Sequence, residues 1–305
     1  MKLRSIQCLR AVAVTAVLLS HTLAWRHGAA GVDLFFVISG VIIGIVMKGR
    51  SASQFMLARL RRIYPIYWLN LFPIIAAAAI SGIALDQATL ASSATLWPIW
   101  GDFAQPYLPP AWTLCFEMLF YVVVAIGLAT SRTTWVAPAL LVLVVLNALV
   151  RHPVLQFVGN PLVLEFCAGF AILRLPRNSS AGVAALALGV GLFVLSPSIY
   201  VQPDQLMDIS VNLLRVAVWG LPAALLVYAA LTFERLFTKW ADIPVFVGNA
   251  SYSIYLSHYF VILTLNIWWP AQTAAMLLVG CAMYLWIEQP MLKRKPMLNP
   301  APARA

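Results

Sequence analysis

Gly31-Val-Asp33-Leu-Phe-Phe-Val-Ile-Ser39-Gly40-Val-Ile-Ile-Gly-Ile-Val-Met-Lys48 is the stretch that decides the class of fold. It is 18 residues long with no charge between Asp33 and Lys48, close to the roughly 20 residues a helix needs to cross a ~30 Å hydrocarbon core. Outward from it, similar runs recur in both directions, and the sequence predicts helical spans near 6–24, 31–48, 63–82, 111–129, 134–150, 161–175, 180–197, 209–232, 246–265 and 271–288. Across the 305 residues 62% are apolar and 10% charged, against about 45–50% and about 25% in soluble globular chains. The mean hydropathy, +0.88, agrees. So few charges cannot clothe a water-facing surface, so a soluble enzyme, a disordered chain, a disulfide scaffold and a conventional nucleic-acid binder are excluded. The expected fold is all-α: a polytopic transmembrane helical bundle of about ten spans. One integral-membrane domain occupies 1–290, followed by a short basic tail at 291–305.

The formal charge of +10 gains its meaning from where the charges fall. With the N-terminus on the cytoplasmic side, 17 of the 20 Lys and Arg residues lie in cytoplasmic segments, and only Arg26, Arg151 and Arg215 do not. This is the positive-inside distribution; it puts both termini in the cytoplasm and needs no nucleic acid to explain it. The apolar run after Lys2 and Arg4 lacks a small-residue cleavage site and is read as an uncleaved first span. Cys8, Cys115, Cys167 and Cys281 stand singly and are read as small core residues. The longest hydrophilic connections, 83–110 and 198–208, are expected to be external loops.

Ionisable residues inside spans are costly unless paired or hydrated, so each is a functional candidate. Arg10 and His21 are eleven apart, nearly three helical turns. Both therefore project from one face of the first span, with His21 about 16 Å further out. Asp33, Glu117, Glu165 and His258 fall at the same outer depth in the ten-span topology. A histidine among carboxylates in a water-restricted cleft is suited to general acid–base chemistry. The competing readings are a snorkelling anchor for Arg10, a packing role for His21, and helix–helix hydrogen bonds for Glu165 and His258.

On the cytoplasmic side, Phe55-Met-Leu-Ala-Arg59-Leu-Arg61-Arg62-Ile63-Tyr64-Pro65-Ile-Tyr67-Trp68 reads as an amphipathic interfacial helix that runs into a proline-marked span. Arg59, Arg61 and Arg62 suit phosphate, whether of a soluble cofactor or of anionic membrane lipids.

These residues also stand in a familiar order. The chain resembles the integral-membrane acyltransferase 3 family, and in particular its stand-alone exopolysaccharide O-acetyltransferases. The resemblance rests on Ile6-Gln7-Cys8-Leu9-Arg10-Ala11 with the Arg10-x10-His21 pair, on residues 31–40, and on Phe55…Arg59…Arg62-Ile63…Pro65…Tyr67-Trp68. It continues through Trp112-Thr113-Leu114-Cys115-Phe116-Glu117-Met118-Leu119-Phe120-Tyr121 and Asn160-Pro161-Leu162-Val163-Leu164-Glu165-Phe166. Residues 248–258 and Ile287-Glu288-Gln289-Pro290 complete it. Ser39-Gly40-Val41 departs slightly from the family's Ser-Gly-Phe, and no segment resembles the periplasmic hydrolase-like domain of some members.

The resemblance implies transfer of an acyl group, usually acetyl, from cytoplasmic acetyl-CoA to a carbohydrate hydroxyl at a bacterial inner membrane. By position His21 matches the family's essential histidine, Arg10 its donor-associated arginine, and Arg59 and Arg62 its basic loop residues. The expected arrangement holds the nucleotide at Arg59, Arg61 and Arg62 and threads the pantetheine arm from Arg10 to His21. His21 is then the general base, oriented by Asp33 or Glu117, or alternatively a nucleophile carrying the acyl group. Trp112 and Tyr121 are expected along the acceptor path, with Glu165 and His258 as further acceptor contacts. No metal site is expected, because the histidines and carboxylates show no ligand spacing on any one helix. A transporter or flippase for a lipid-linked saccharide, and a structural partner of a polysaccharide-synthesis complex, are the alternatives. The first is disfavoured by the absence of paired half-repeats, the second by so many ionisable groups at one depth.

Overall fold

The first helix starts at a pair of unsatisfied backbone N–H groups that a distant carboxylate covers. In the computed structural model, which describes residues 3–98, 104–150, 152–199 and 205–293, α1 runs Arg4–Thr22. Glu234 accepts from the backbone N–H of Arg4 at 2.7 Å and of Ser5 at 3.0 Å, and also from the Ser5 hydroxyl. This satisfies orphan donors and complements the positive end of the helix dipole. Arg4 donates in turn to the carbonyls of Phe237 and Thr238 at 2.8 and 2.7 Å. The start of α1 is thereby pinned to the segment that leads into α12 (Asp242–Thr264), against which α1 packs.

The remaining helices are α2 (Ala30–Val46), α3 (Ala52–Ile80), α4 (Gln87–Thr95), α5 (Trp112–Ala129), α6 (Val136–Leu149), α7 (Pro153–Val158), α8 (Val163–Ile172) and α9 (Ser179–Leu195). They are followed by α10 (Ile209–Arg215), α11 (Leu221–Thr232), α13 (Trp269–Met283) and α14 (Gln289–Lys293). There is no strand among the described residues. The π-turn Val216–Gly220 joins α10 to α11, and the π-turn Tyr284–Glu288 joins α13 to α14. Such widened turns re-aim side chains inside otherwise regular helices.

Among the described residues, seven stretches are long and apolar enough to cross a membrane: Arg4–Thr22, Arg26–Val46, Ala52–Ile80, Pro109–Ala129, Pro153–Ile172, Ile209–Thr232 and Trp269–Lys293. Thr133–Leu149 and Ser179–Leu195 are shorter apolar helices. The remaining expected span, the ninth at 246–265, falls on α12, whose run is broken up by the polar residues Asn249, Ser251, Ser253, Ser257 and His258. Lys2, Asp102, Arg151, Arg294, Lys295, Arg304 and all of the basic tail beyond Lys293 lie outside the described residues.

Three expectations change in detail. The interfacial helix and the third span are one continuous α3, begun by a capping box in which Ser51 and Gln54 satisfy each other's backbone N–H. The expected span at 161–175 is the second part of an interrupted stretch, α7 then α8, broken at Gly159-Asn160-Pro161. There Asn160 Oδ1 accepts from the Leu162 N–H at 3.1 Å and its amide donates to the Leu206 carbonyl at 3.1 Å. The connection 83–110, expected as a loop, contains α4, capped by Asp86 accepting from the Thr89 N–H at 2.7 Å. The carbonyls of Ser93, Ala94 and Thr95 at its far end accept from Tyr67, Trp68 and Tyr64 of α3.

Helices meet through small residues, the usual device where lipid offers no hydrophobic drive for association. Gly40 of α2 and Gly169 of α8 face each other: a Cβ on Gly40 would stand 2.1 Å from the Phe166 carbonyl oxygen, and one on Gly169 1.9 Å from that of Val37. Around this crossing Phe36, Phe120 and Phe166 stack, with centroids 4.8 Å apart at Phe36–Phe166 and at Phe120–Phe166. Large apolar residues such as Phe72, Ile80, Leu141 and Leu195 point outward, as a lipid-facing surface requires.

Candidate active site in two adjoining chambers

One face of α12 carries Ser251, Tyr255, His258 and Tyr259, spaced by about one or two helical turns. Two chambers open along it. The smaller, about 130 Å³, is lined by Arg10, Ser39, Arg59, Arg62, Glu117, Tyr121, Ser251 and Tyr252, among others. The larger, about 810 Å³, is lined by His21, Arg26, Trp112, Arg215, Trp219, His258 and Tyr259, among others. Val32 and Tyr255 line both and form the wall between them. The Tyr255 hydroxyl donates to the Pro110 carbonyl at 3.1 Å and accepts from the Thr113 hydroxyl at 3.2 Å, which holds the wall in place.

In the basic chamber, Arg10 of α1 donates through Nε to the Ser251 hydroxyl at 3.1 Å. Arg59 and Arg62 are three apart on α3 and so share a face. Arg61 points elsewhere and is exposed, outside the chamber lining. Arg62 is paired with Glu288, which is 1% exposed and also accepts from the Ser253 hydroxyl; its guanidinium lies 5.6 Å from the Tyr252 ring. Arg59 Nε is buried without a hydrogen-bond partner. Glu117 accepts from the Ser39 hydroxyl at 3.3 Å and from the Tyr121 hydroxyl. Three guanidinium groups, one of them paired with Glu288, against the lining carboxylate Glu117 leave this chamber with an excess of positive charge, which favours anions.

The histidine chamber begins where α1 ends. Arg10 and His21 stand on the same uninterrupted helix, one in each chamber, about 16 Å apart along the axis. The His21 and His258 rings are 5.1 Å apart. Asp33 does not line the histidine chamber. It is fully buried and accepts from Arg215 Nε at 2.8 Å and Nη2 at 2.9 Å. That guanidinium sits 5.6 Å from the Trp112 ring and 5.5 Å from the Trp219 ring. Glu165 lines neither chamber; it is buried beside this pair, so close to Gly220 that a Cβ there would stand 2.6 Å from Oε1.

Of the residues singled out from sequence, the structure gathers Arg10, Arg59, Arg62, Glu117 and Tyr121 in one chamber and His21, His258 and Trp112 in the other. Asp33 and Glu165 support the second from behind, and Arg61 stands apart. Tyr121 belongs to the basic chamber and not to the chamber that holds Trp112. The carboxylates expected to orient His21 are engaged with Arg215 and with Ser39 and Tyr121. Sequence reasoning missed Arg215, Trp219, Tyr255 and Glu288. The available signal was the cost of Arg215 within a span, which demands a partner, and the Ile287-Glu288-Gln289-Pro290 motif that ends the last apolar run. Among the described residues no three His, Cys, Asp or Glu side chains are grouped as a metal site.

The bundle of apolar helices thus holds a basic chamber beside a histidine chamber. Residues 3–288 match the family of the acyltransferase domain, acyltransferase 3, and the chain belongs to it. It is similar to the exopolysaccharide production protein ExoZ of Rhizobium meliloti (strain 1021), with 33% identity over 307 residues, covering 88% of this chain and 90% of the relative. No solved structure matches the chain.

Proposed function

We propose that the protein moves an acetyl group from cytoplasmic acetyl-CoA to a hydroxyl of an extracytoplasmic or lipid-linked carbohydrate, in the production of an exopolysaccharide at a bacterial inner membrane. The observation that carries this reading is the pair of chambers that share Val32 and Tyr255, one basic and one holding both histidines. Acetyl-CoA is a polyanion at one end and a neutral thioester at the other. Its phosphates stay at Arg59 and Arg62, where a fork of N–H groups matches phosphate oxygens. The slender arm passes Arg10, and the thioester reaches the wall at Tyr255. The acceptor enters the histidine chamber, where Trp112 and Tyr259 on the lining offer aromatic surface to a sugar ring. His21 acts as general base on the acceptor hydroxyl. Displacing Val32 and Tyr255 joins the two chambers, so the acyl group crosses while water on either side stays apart.

The support is the family membership, the relative's name as an exopolysaccharide production protein, and the placing of Arg10, Arg59 and Arg62 in one chamber and of His21 and His258 in the other. The test is transfer of label from radioactive acetyl-CoA to saccharide in membranes containing the wild-type chain or His21→Ala. Transfer that is lost in His21→Ala is expected. Saccharide movement across the membrane without any label transfer refutes the enzyme reading in favour of transport.

A further inference from the structure

The histidine chamber holds two of the four histidines in the chain, and their surroundings give them different parts. His258 is 1% exposed. Its Nδ1 is hydrogen-bonded to the Tyr255 carbonyl oxygen one turn earlier on α12. A carbonyl only accepts, so Nδ1 carries the ring proton and Nε2 keeps its lone pair. That Nε2 is buried and has no hydrogen-bond partner, and such an acceptor is costly to leave unmade.

The ring beside it is His21, with centroids 5.1 Å apart and planes tilted by 36°. Two imidazoles joined by an N–H···N bond of about 2.9 Å have centroids about 5 Å apart, since each nitrogen lies about 1 Å from its ring centre. The separation is already that of a bonded pair, and turning the exposed His21 ring completes it. The charged and titratable groups that face the pair are Arg26, Arg215 at the end of α10, and Tyr255 and Tyr259 on α12. No carboxylate lines this chamber among the described residues, so none is at hand to orient His21.

Resting on the acyl-transfer reading above, we infer that His258 is the positioning residue for His21. Its Nε2 accepts the His21 N–H, and this leaves the second nitrogen of His21 unprotonated and turned to the acceptor hydroxyl. In the transfer, the hydroxyl oxygen bonds to the thioester carbonyl carbon as its proton moves to that nitrogen. The C–S bond then breaks, the same proton passes to the departing sulfur, and an ester and a free thiol result. His258 stays neutral throughout and holds the transient His21 imidazolium through the Tyr255 carbonyl–His258 chain, the part usually taken by a carboxylate.

The test uses the full-length protein purified into lipid, as wild type, His258→Phe and His258→Gln, because the Gln amide oxygen falls near the Nε2 position and accepts the same N–H. His258→Phe is expected to lower kcat by roughly 10- to 100-fold with the KM for acetyl-CoA within about twofold, and His258→Gln to recover most of that loss. A Phe variant with wild-type kcat per folded molecule, or a Gln variant as slow as Phe, overturns the inference. A second readout needs no activity: with 15N-labelled histidine in lipid, a cross peak between the ring nitrogens of His21 and His258 is expected in wild type and lost in His21→Ala. Its absence from wild type overturns the pairing. Its presence in a protein that transfers no acetyl group leaves the pairing intact and refutes the reaction.

Discussion

Neutralising one half of the Asp33–Arg215 pair is expected to be among the most destabilising single changes in this protein. Asp33 is fully buried and Arg215 is 4% exposed, and two charge-assisted hydrogen bonds of 2.8 and 2.9 Å join them. In Asp33→Leu the guanidinium keeps its charge between Trp112 and Trp219, with Glu165 as the nearest remaining carboxylate. In Arg215→Met two buried carboxylates, Asp33 and Glu165, are left without the cation. Breaking a buried pair from one side costs about 3–5 kcal/mol, whereas replacing both partners with apolar groups of similar volume is often close to neutral. Asp33→Leu and Arg215→Met should therefore each cost about 3–5 kcal/mol, and the double variant should recover at least half of the sum. The assay is reversible unfolding in mixed micelles with tryptophan fluorescence, run as a double-mutant cycle. Single variants that lose less than about 1 kcal/mol, or a double variant whose loss is the plain sum of the two, would refute the reasoning. The double variant should still have impaired acetyl transfer, because Arg215 and the two tryptophans shape the histidine chamber.

Three further outcomes follow from the same geometry. Gly169→Val sets a side chain where a Cβ alone would be 1.9 Å from the Val37 carbonyl oxygen, so the α2–α8 crossing must open. The expected result is loss of most of the folded protein in detergent by size-exclusion chromatography, and full recovery of wild-type yield would count against the crossing. Replacing Arg59 and Arg62 by Ala should raise the KM for acetyl-CoA by about tenfold, well beyond any change for the acceptor, while Arg61→Ala stays within about twofold. Steady-state kinetics with both substrates varied decides this, and equal effects at positions 61 and 62 would remove the chamber from donor binding. In a chain lacking its four cysteines, a cysteine at Asp102 should react with an impermeant maleimide from the periplasmic side. One at Lys239 should react only after permeabilisation, and the reverse pattern would invert the orientation taken from the charge distribution.

Much of this protein was written into local composition. Helix stands at each of the ten expected positions, and among the described residues seven of these stretches are long and apolar enough to cross a membrane, as apolar runs that must satisfy their backbone hydrogen bonds internally require. The regular rise of a helix placed Arg10 and His21 on one face at different levels before any tertiary contact was known. The division of Arg59 and Arg62 from Arg61 is equally a matter of helical angle. The helix α4 escaped notice because nine residues between an Asp86 cap and a left-handed Leu96 carry no spanning-length apolar signal. The interruption at Gly159-Asn160-Pro161 depends on Asn160 reaching Leu206, which is far away in sequence.

The partners of the polar residues, by contrast, were decided only by the tertiary structure. Depth along the membrane normal is set by position in a span, but the rotation of each helix is set by packing, at contacts such as Gly40 on Phe166 and Gly248 on Gln7. Two groups at one depth can therefore face each other or face opposite ways. Rotation turned Asp33 to Arg215 and Glu117 to Ser39, brought His258 beside His21, and set Glu288 behind Arg62. The sequence determined a membrane helical bundle and the level at which its chemistry stands; packing determined which charge meets which, because a buried charge must find a partner and only the assembled bundle supplies one.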